Sequence, residues 1–174
     1  MSTELHSKTY AVLLQNLKQE IATSRIRAHL SVNKEMIHLY WRIGNQILER
    51  QKEEGWGSKV IENISKDLRK EFPEMTGLSA RNLKYMQRFA REFLELEIVQ
   101  QLVAQIPWGH VCVIMDKVGI DEQRLWYIGK TIENGWSRNV LSIQIQSQLY
   151  SRDGKSINNF QNIFRWSANG GLTI

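Results

Sequence analysis

The sequence predicts an all-α protein, and three observations carry that expectation. Apolar residues recur every three or four positions along almost the whole chain, the spacing that lines one face of a helix. Only two prolines, Pro73 and Pro107, interrupt the 174 residues, which leaves room for long helices. Capping residues follow glycine or proline breaks at Ser58, Ser79, Asp121 and Ser137. No regular run of alternating strands competes with this pattern.

The first element spans residues 9–52. Its stripe runs through Leu14, Leu17, Ile21, Ser24, Ala28, Val32, Met36, Leu39, Ile43 and Ile47, in steps of three and four. The spacing is compatible with one helix of roughly 65 Å, or with two helices that break near Ser31-Val32-Asn33 and fold back on each other. A single helix of that length cannot bury its whole stripe against a small domain. Part of it would then need a partner, and Ser24 and Ala28 mark where another helix can approach closely.

Gly55-Trp56-Gly57 reads as a loop and Ser58 as the cap of a helix reaching Phe72, with Val60, Ile61, Ile64 and Leu68 inward. Pro73 ends it. Ser79 caps the next helix, which the pattern extends to Ile106. Pro107-Trp108-Gly109 breaks the chain before a short helix over residues 110–118. Asp121 is expected to cap a helix ending at Asn134-Gly135, with Leu125, Ile128 and Ile132 inward. Ser137 caps the last strong helix, to about Tyr150, with Val140, Leu141, Ile145 and Leu149 inward. Ile143 and Ile145 alternate with glutamines as in a strand, but the flanking caps favour helix. Residues 1–160 therefore form one helical domain. Within it lie the long segment 9–52, a helix-turn-helix-like unit 58–93 and a helical hairpin 121–150, and residues 161–174 are expected to be a disordered tail.

Composition narrows the function classes. Lys+Arg 23 against Asp+Glu 18 gives a net charge of +5, which permits nucleic-acid binding without requiring it. A lone cysteine, Cys112, excludes an internal disulfide and a cysteine-built zinc site, and fits a cytoplasmic protein. The histidines His6, His29, His38 and His110 are scattered and read as surface or interface residues, so no metal or cofactor is expected. The most apolar stretch, residues 111–115, is far too short to cross a membrane. Neither a phosphate loop nor a GxSxG nucleophile elbow occurs.

The charge is concentrated. Between Gly77 and Arg91 the only charged residues are Arg81, Lys84, Arg88 and Arg91, a local charge of +4. Spaced three, four and three apart, they fall within one quarter of a helix surface, opposite Leu83, Met86, Ala90 and Phe93. A solvated helix face usually mixes both signs; this one does not. Arg81, Asn82, Lys84, Arg88 and Arg91 are therefore candidate DNA contacts, the cations to phosphate and Asn82 to a base edge or the backbone. The turn at Asn134-Gly135-Trp136 before Ser137 has the tighter helix-turn-helix spacing and adds Arg138. The two units echo each other, Gly77-Leu78-Ser79-Ala80-Arg81-Asn82 beside Gly135-Trp136-Ser137-Arg138-Asn139. Three of the six tryptophans, Trp56, Trp108 and Trp136, sit beside a glycine at a helix boundary, where a ring can cover a helix end. Base stacking is their functional alternative.

These segments together resemble the N-terminal domain of the YhcG-like family. The matching stretches are Val32-Asn33 with Leu39-Tyr40-Trp41-Arg42-Ile43-Gly44, Gly55-Trp56-Gly57, Gly77-Leu78-Ser79-Ala80-Arg81-Asn82-Leu83, Pro107-Trp108-Gly109-His110 and Ile132-Glu133-Asn134-Gly135-Trp136-Ser137-Arg138. The resemblance implies a helical domain that binds DNA ahead of a PD-(D/E)XK nuclease domain. The resemblance stops near Phe160, and no Asp followed by a Glu-x-Lys strand is found, so nuclease activity is not expected of this chain. The expected function is non-catalytic DNA binding. The alternative is an interaction module in which the long first helix builds a homodimer or docks a nuclease partner.

Overall fold

The computed structural model describes residues 2–55 and 58–153. Among them eight α-helices follow one another: α1 (Ser2–Glu54), α2 (Ser58–Glu71), α3 (Ala80–Glu92), α4 (Leu96–Gln101), α5 (Trp108–Lys117), α6 (Asp121–Asn134), α7 (Arg138–Gln146) and α8 (Leu149–Asp153), with a 3₁₀ turn (Val103–Gln105) before α5. No strand occurs among the described residues, and the all-α expectation holds. Residues 154–174, the cap assigned to Ser58 and the loop position of Trp56-Gly57 lie outside what is described.

The first segment is one unbroken helix. Its C-terminal half crosses α3, and the two backbones meet where Gly44 faces the main chain of Met86 and Gln87. Polar side chains of α1 bind the chain that follows α3. Asn33 donates from Nδ2 to the carbonyls of Ala104 (2.9 Å) and Ile106 (3.0 Å). Trp41 donates its indole N–H to the Phe93 carbonyl at 2.7 Å. That bond sits where the helix begun at Ser79 stops, so the expected helix to Ile106 is instead α3, a break at residues 93–95, α4 and the 3₁₀ turn. Phe93 itself turns into the core. An indole from another helix has captured a carbonyl at the terminus, and no spacing within residues 79–106 encodes it.

The buried face of α1 is also not the whole predicted stripe. Ile37, Tyr40, Gly44 and Ile47 are buried and Met36, Leu39 and Ile43 partly so, whereas Leu14, Leu17, Ile21 and Val32 are exposed.

The core has two parts joined by Trp108. Phe89, Ile37, Val99, Val103, Ile114, Ile128 and Leu141 centre the larger one. Tyr40, Ile47, Ile61, Leu83 and Met86 form the smaller, beneath α2. Trp108 packs against both, edge-on to Tyr40 (centroids 5.0 Å) and to Phe89 (5.4 Å).

Most of the other local expectations survive. Ser79 accepts from the Asn82 N–H and Ser137 from the Val140 N–H, so both cap as expected. Asp121 does not cap: Ile120 holds that position, and Asp121 bonds Arg124 at 2.7 Å instead. Val140 faces outward while Leu141 is buried. The helix expected to reach Tyr150 ends at Gln146, and Gln148 takes φ 52° before the separate α8. His110, expected at the surface or an interface, is buried within the domain, and its Nε2–H donates to the Trp136 carbonyl at 2.9 Å. No single described helix is long and apolar enough to cross a membrane. The apolar pair 96–105 and 108–117 is bent by 111°, and Val99, Val103, Val111 and Ile114 from it are core residues.

Candidate nucleic-acid interface

Helix α3 is amphipathic and its apolar face decides its orientation. Leu83, Met86, Phe89 and Ala90 are buried, which turns the cationic face outward. Arg81, Lys84 and Arg91 are exposed and make no ion pair among the described residues. The Arg81 guanidinium lies over the Tyr85 ring, 5.9 Å from its centroid, which limits its side-chain freedom while leaving its donors to solvent.

Arg88 and Asn82 are placed differently. Arg88 Nε meets Glu92 at 2.5 Å, its Nη1 meets Asp116 at 2.9 Å, and its Nη2 donates to the Met115 carbonyl. The two acids, Glu92 first, hold its guanidinium above the ordinary arginine range. Asn82 has both ends of its amide engaged: Nδ2 donates to the Gly77 carbonyl at 2.6 Å, and Oδ1 accepts the Trp108 indole N–H at 2.8 Å. Gly77 has φ +96°, a conformation open to glycine and strained for other residues. Asn82 thus fixes a tight turn at one end and a core tryptophan at the other.

Arg138 comes to the same place from the other end of the sequence. It is exposed, and its side chain lies across Gly109, where an added Cβ would stand 3.5 Å from Arg138 Cδ. Arg81 and Arg138 line one open groove of about 580 Å³, whose wall includes Tyr85, Trp108, Gly109 and Asp116. The first turns of α3, α5 and α7 all contribute to it, through Arg81 and Asn82, Trp108 and Gly109, and Arg138. Each helix start carries partial positive charge, and Ser79 and Ser137 already accept one N–H at two of the three. The acid at the rim, Asp116, is engaged by Arg88 and by the Tyr85 hydroxyl at 2.8 Å. The groove therefore presents three helix starts and two arginines that make no ion pair among the described residues, an electropositive surface suited to an anion.

The model of the DUF1016 N-terminal domain family matches residues 16–152. The chain belongs to that family. The match spans the motifs on which the YhcG-like resemblance rests, and it covers the groove and all of α3. No curated protein and no solved structure matches the chain. In this DUF1016 N-terminal domain, sequence reasoning found each arginine but treated Arg81 and Arg138 as members of separate units. It missed Tyr85, Trp108 and Gly109 as walls of a shared groove. The available signal was the echo between the two Gly-turn, Ser-cap and Arg segments, which carries two arginines to the starts of two helices.

Cys112, also in the groove wall, is a poor nucleophile. Burial first, and Asp116 second, push its thiol up to about 11. At pH 8 its reaction with iodoacetamide is expected to be on the order of 100-fold slower than that of an exposed cysteine. The rate should climb as pH rises toward that value, as read by mass spectrometry of timed aliquots.

Proposed function

We propose that this DUF1016 N-terminal domain is a non-catalytic DNA-binding domain. It grips the phosphodiester backbone through the groove at the starts of α3, α5 and α7. Arg81 and Arg138 hold phosphate there, and Lys84 and Arg91 extend the contact along α3. The observation that supports this reading is the convergence of Arg81 and Arg138, neither of them ion-paired among the described residues, on one groove beside three helix starts. Arg88 and Asn82 serve the interface indirectly: the first holds Asp116 out of play, the second holds the turn and the tryptophan that shape the wall.

The test is fluorescence anisotropy with duplex, single-stranded and branched DNA at two salt concentrations. Binding should weaken steeply with salt, because each neutralised phosphate releases a counterion. The double variant Arg81→Ala/Arg138→Ala should bind at least about tenfold more weakly at low salt, with a salt slope shallower by about two. Its melting temperature should stay near that of the parent, since both side chains are exposed. Unchanged affinity in a folded double variant would refute the assignment of the groove. Absence of salt-dependent binding to any of the three DNA forms would refute the function.

A further inference from the structure

Residues 9–32 of α1 extend about 36 Å beyond the half that packs on the domain. Every one of them except Thr23 is exposed, including Ile21 at 60% and Leu17 at 45%. At 100° per residue, the domain-facing residues Asn33, Ile37, Tyr40, Gly44 and Ile47 share one side of the helix. Leu14, Leu17, Ile21, Ser24 and Ala28 share another, roughly 140° around the axis. The exposed stripe is therefore a second face, separate from the one the domain covers. Helices in proteins draw most of their stability from packing an apolar face, and an exposed apolar stripe marks a protein interface.

We propose that this stripe is covered by the same stripe of a second copy running antiparallel, making the protein a homodimer with its two domains at opposite ends of a helical pair. The order of side-chain sizes argues for this occupant. The large residues Leu14, Leu17 and Ile21 come first and the small residues Ser24, Ala28 and Ser31 follow, at the three-four spacing of a coiled-coil seam. With the two-fold axis between Ala22 and Thr23, Leu14 lies against Ser31 of the second copy, Leu17 against Ala28, and Ile21 against Ser24. Every layer then joins one large and one small side chain, so the seam fills evenly. A parallel pair would stack large on large and then small on small, leaving half the seam thin.

Charge agrees with the same register. Glu20 on one flank falls beside Arg27 of the second copy, and the symmetry makes the pair twice. On the other flank Lys18 neighbours Arg25 of the second copy; both are solvated and their repulsion is screened by salt. The short seam and this repulsion make the dimer weak, with dissociation on the order of micromolar concentrations.

Sedimentation equilibrium of the full chain, without nucleic acid, should show a mass near twice 20.4 kDa as concentration rises. Leu17→Lys/Ile21→Lys should be monomeric while its cooperative melt is retained, because both positions are exposed. Glu20→Arg should weaken the dimer roughly ten- to thirtyfold, and Glu20→Arg/Arg27→Glu should restore it. A parallel pair would place Glu20 beside Arg25 instead, so rescue by Arg25→Glu and not by Arg27→Glu would overturn the antiparallel arrangement. A mass of one chain at every concentration up to roughly 500 µM would overturn the dimer and leave the stripe to a different protein. None of these readings depends on DNA binding, so either proposal can fail without the other.

Discussion

Gly44→Ala is expected to destabilise the protein by about 3 kcal/mol or more, seen as a large drop in the urea midpoint or as failure to fold. Helix propensity alone predicts the opposite sign, because alanine in a helix interior is favoured over glycine by about 1 kcal/mol. Packing decides against it. A Cβ at position 44 would overlap the carbonyl of Met86 and approach the Gln87 nitrogen at 3.0 Å. These are main-chain atoms of α3, which cannot rotate aside as a flexible side chain would. α1 and α3 would have to separate, opening the contacts among Tyr40, Ile47, Leu83 and Met86. Gly55→Ala is the control. Gly55 has φ +64° with open space around it, so the change there costs about 1 kcal/mol from backbone conformation alone. A stable Gly44→Ala protein would mean that α1 does not cross α3 at this point.

Arg124→Ala is expected to cost about 3 kcal/mol, because Arg124 is the buried centre of a charged cluster whose outer acids, Asp116 and Asp121, reach solvent. The Arg124 side chain is 8% exposed, and it meets Glu92 at 3.1 Å and Asp121 at 2.7 Å. Its Nε also donates to the Val118 carbonyl at 2.7 Å. Glu92 in turn holds Arg88, which holds Asp116, so one network ties α3, the end of α5 and the start of α6. Truncation leaves the Glu92 carboxylate, 16% exposed, without one of its two cations. Arg124→Lys should recover only part of the loss, since a single ammonium cannot reproduce the arginine fork that reaches two acids and a carbonyl. Chemical denaturation of the three proteins checks the order parent, Arg124→Lys, Arg124→Ala. Equal stability of the alanine variant and the parent would show that the cluster contributes nothing net.

The same cluster explains why the charged face of α3 reads differently once folded. Four cations at three-four-three spacing form one face in the sequence, and three of them make no ion pair among the described residues. Arg88 is diverted by Glu92, one turn along the helix and visible from spacing, and by Asp116, twenty-eight positions away and not visible. Asn82 looks like a reader of base edges by residue type. Its amide is taken up by Gly77 within its own turn and by Trp108 from a distant helix.

Local physics was legible from the start. The all-α class, the caps at Ser79 and Ser137, and the buried face of α3 follow from periodicity and capping, which depend on neighbours within one or two turns. The choices that depend on a second element were not. An apolar stripe along α1 says that some face will be buried, but which face depends on where α3 arrives, and α3 arrives at Gly44 because that position has no side chain. α3 ends at Glu92 because the indole of Trp41 takes the carbonyl of Phe93. Arg81 and Arg138, far apart in sequence, share a groove because α5 packs between the helices that carry them, with Gly109 small enough to let Arg138 lie across it. Residue types and spacings determine which helices form and which cations they carry; long-range packing determines which of those cations stay free, because only the folded chain brings their competing acids and carbonyls within reach.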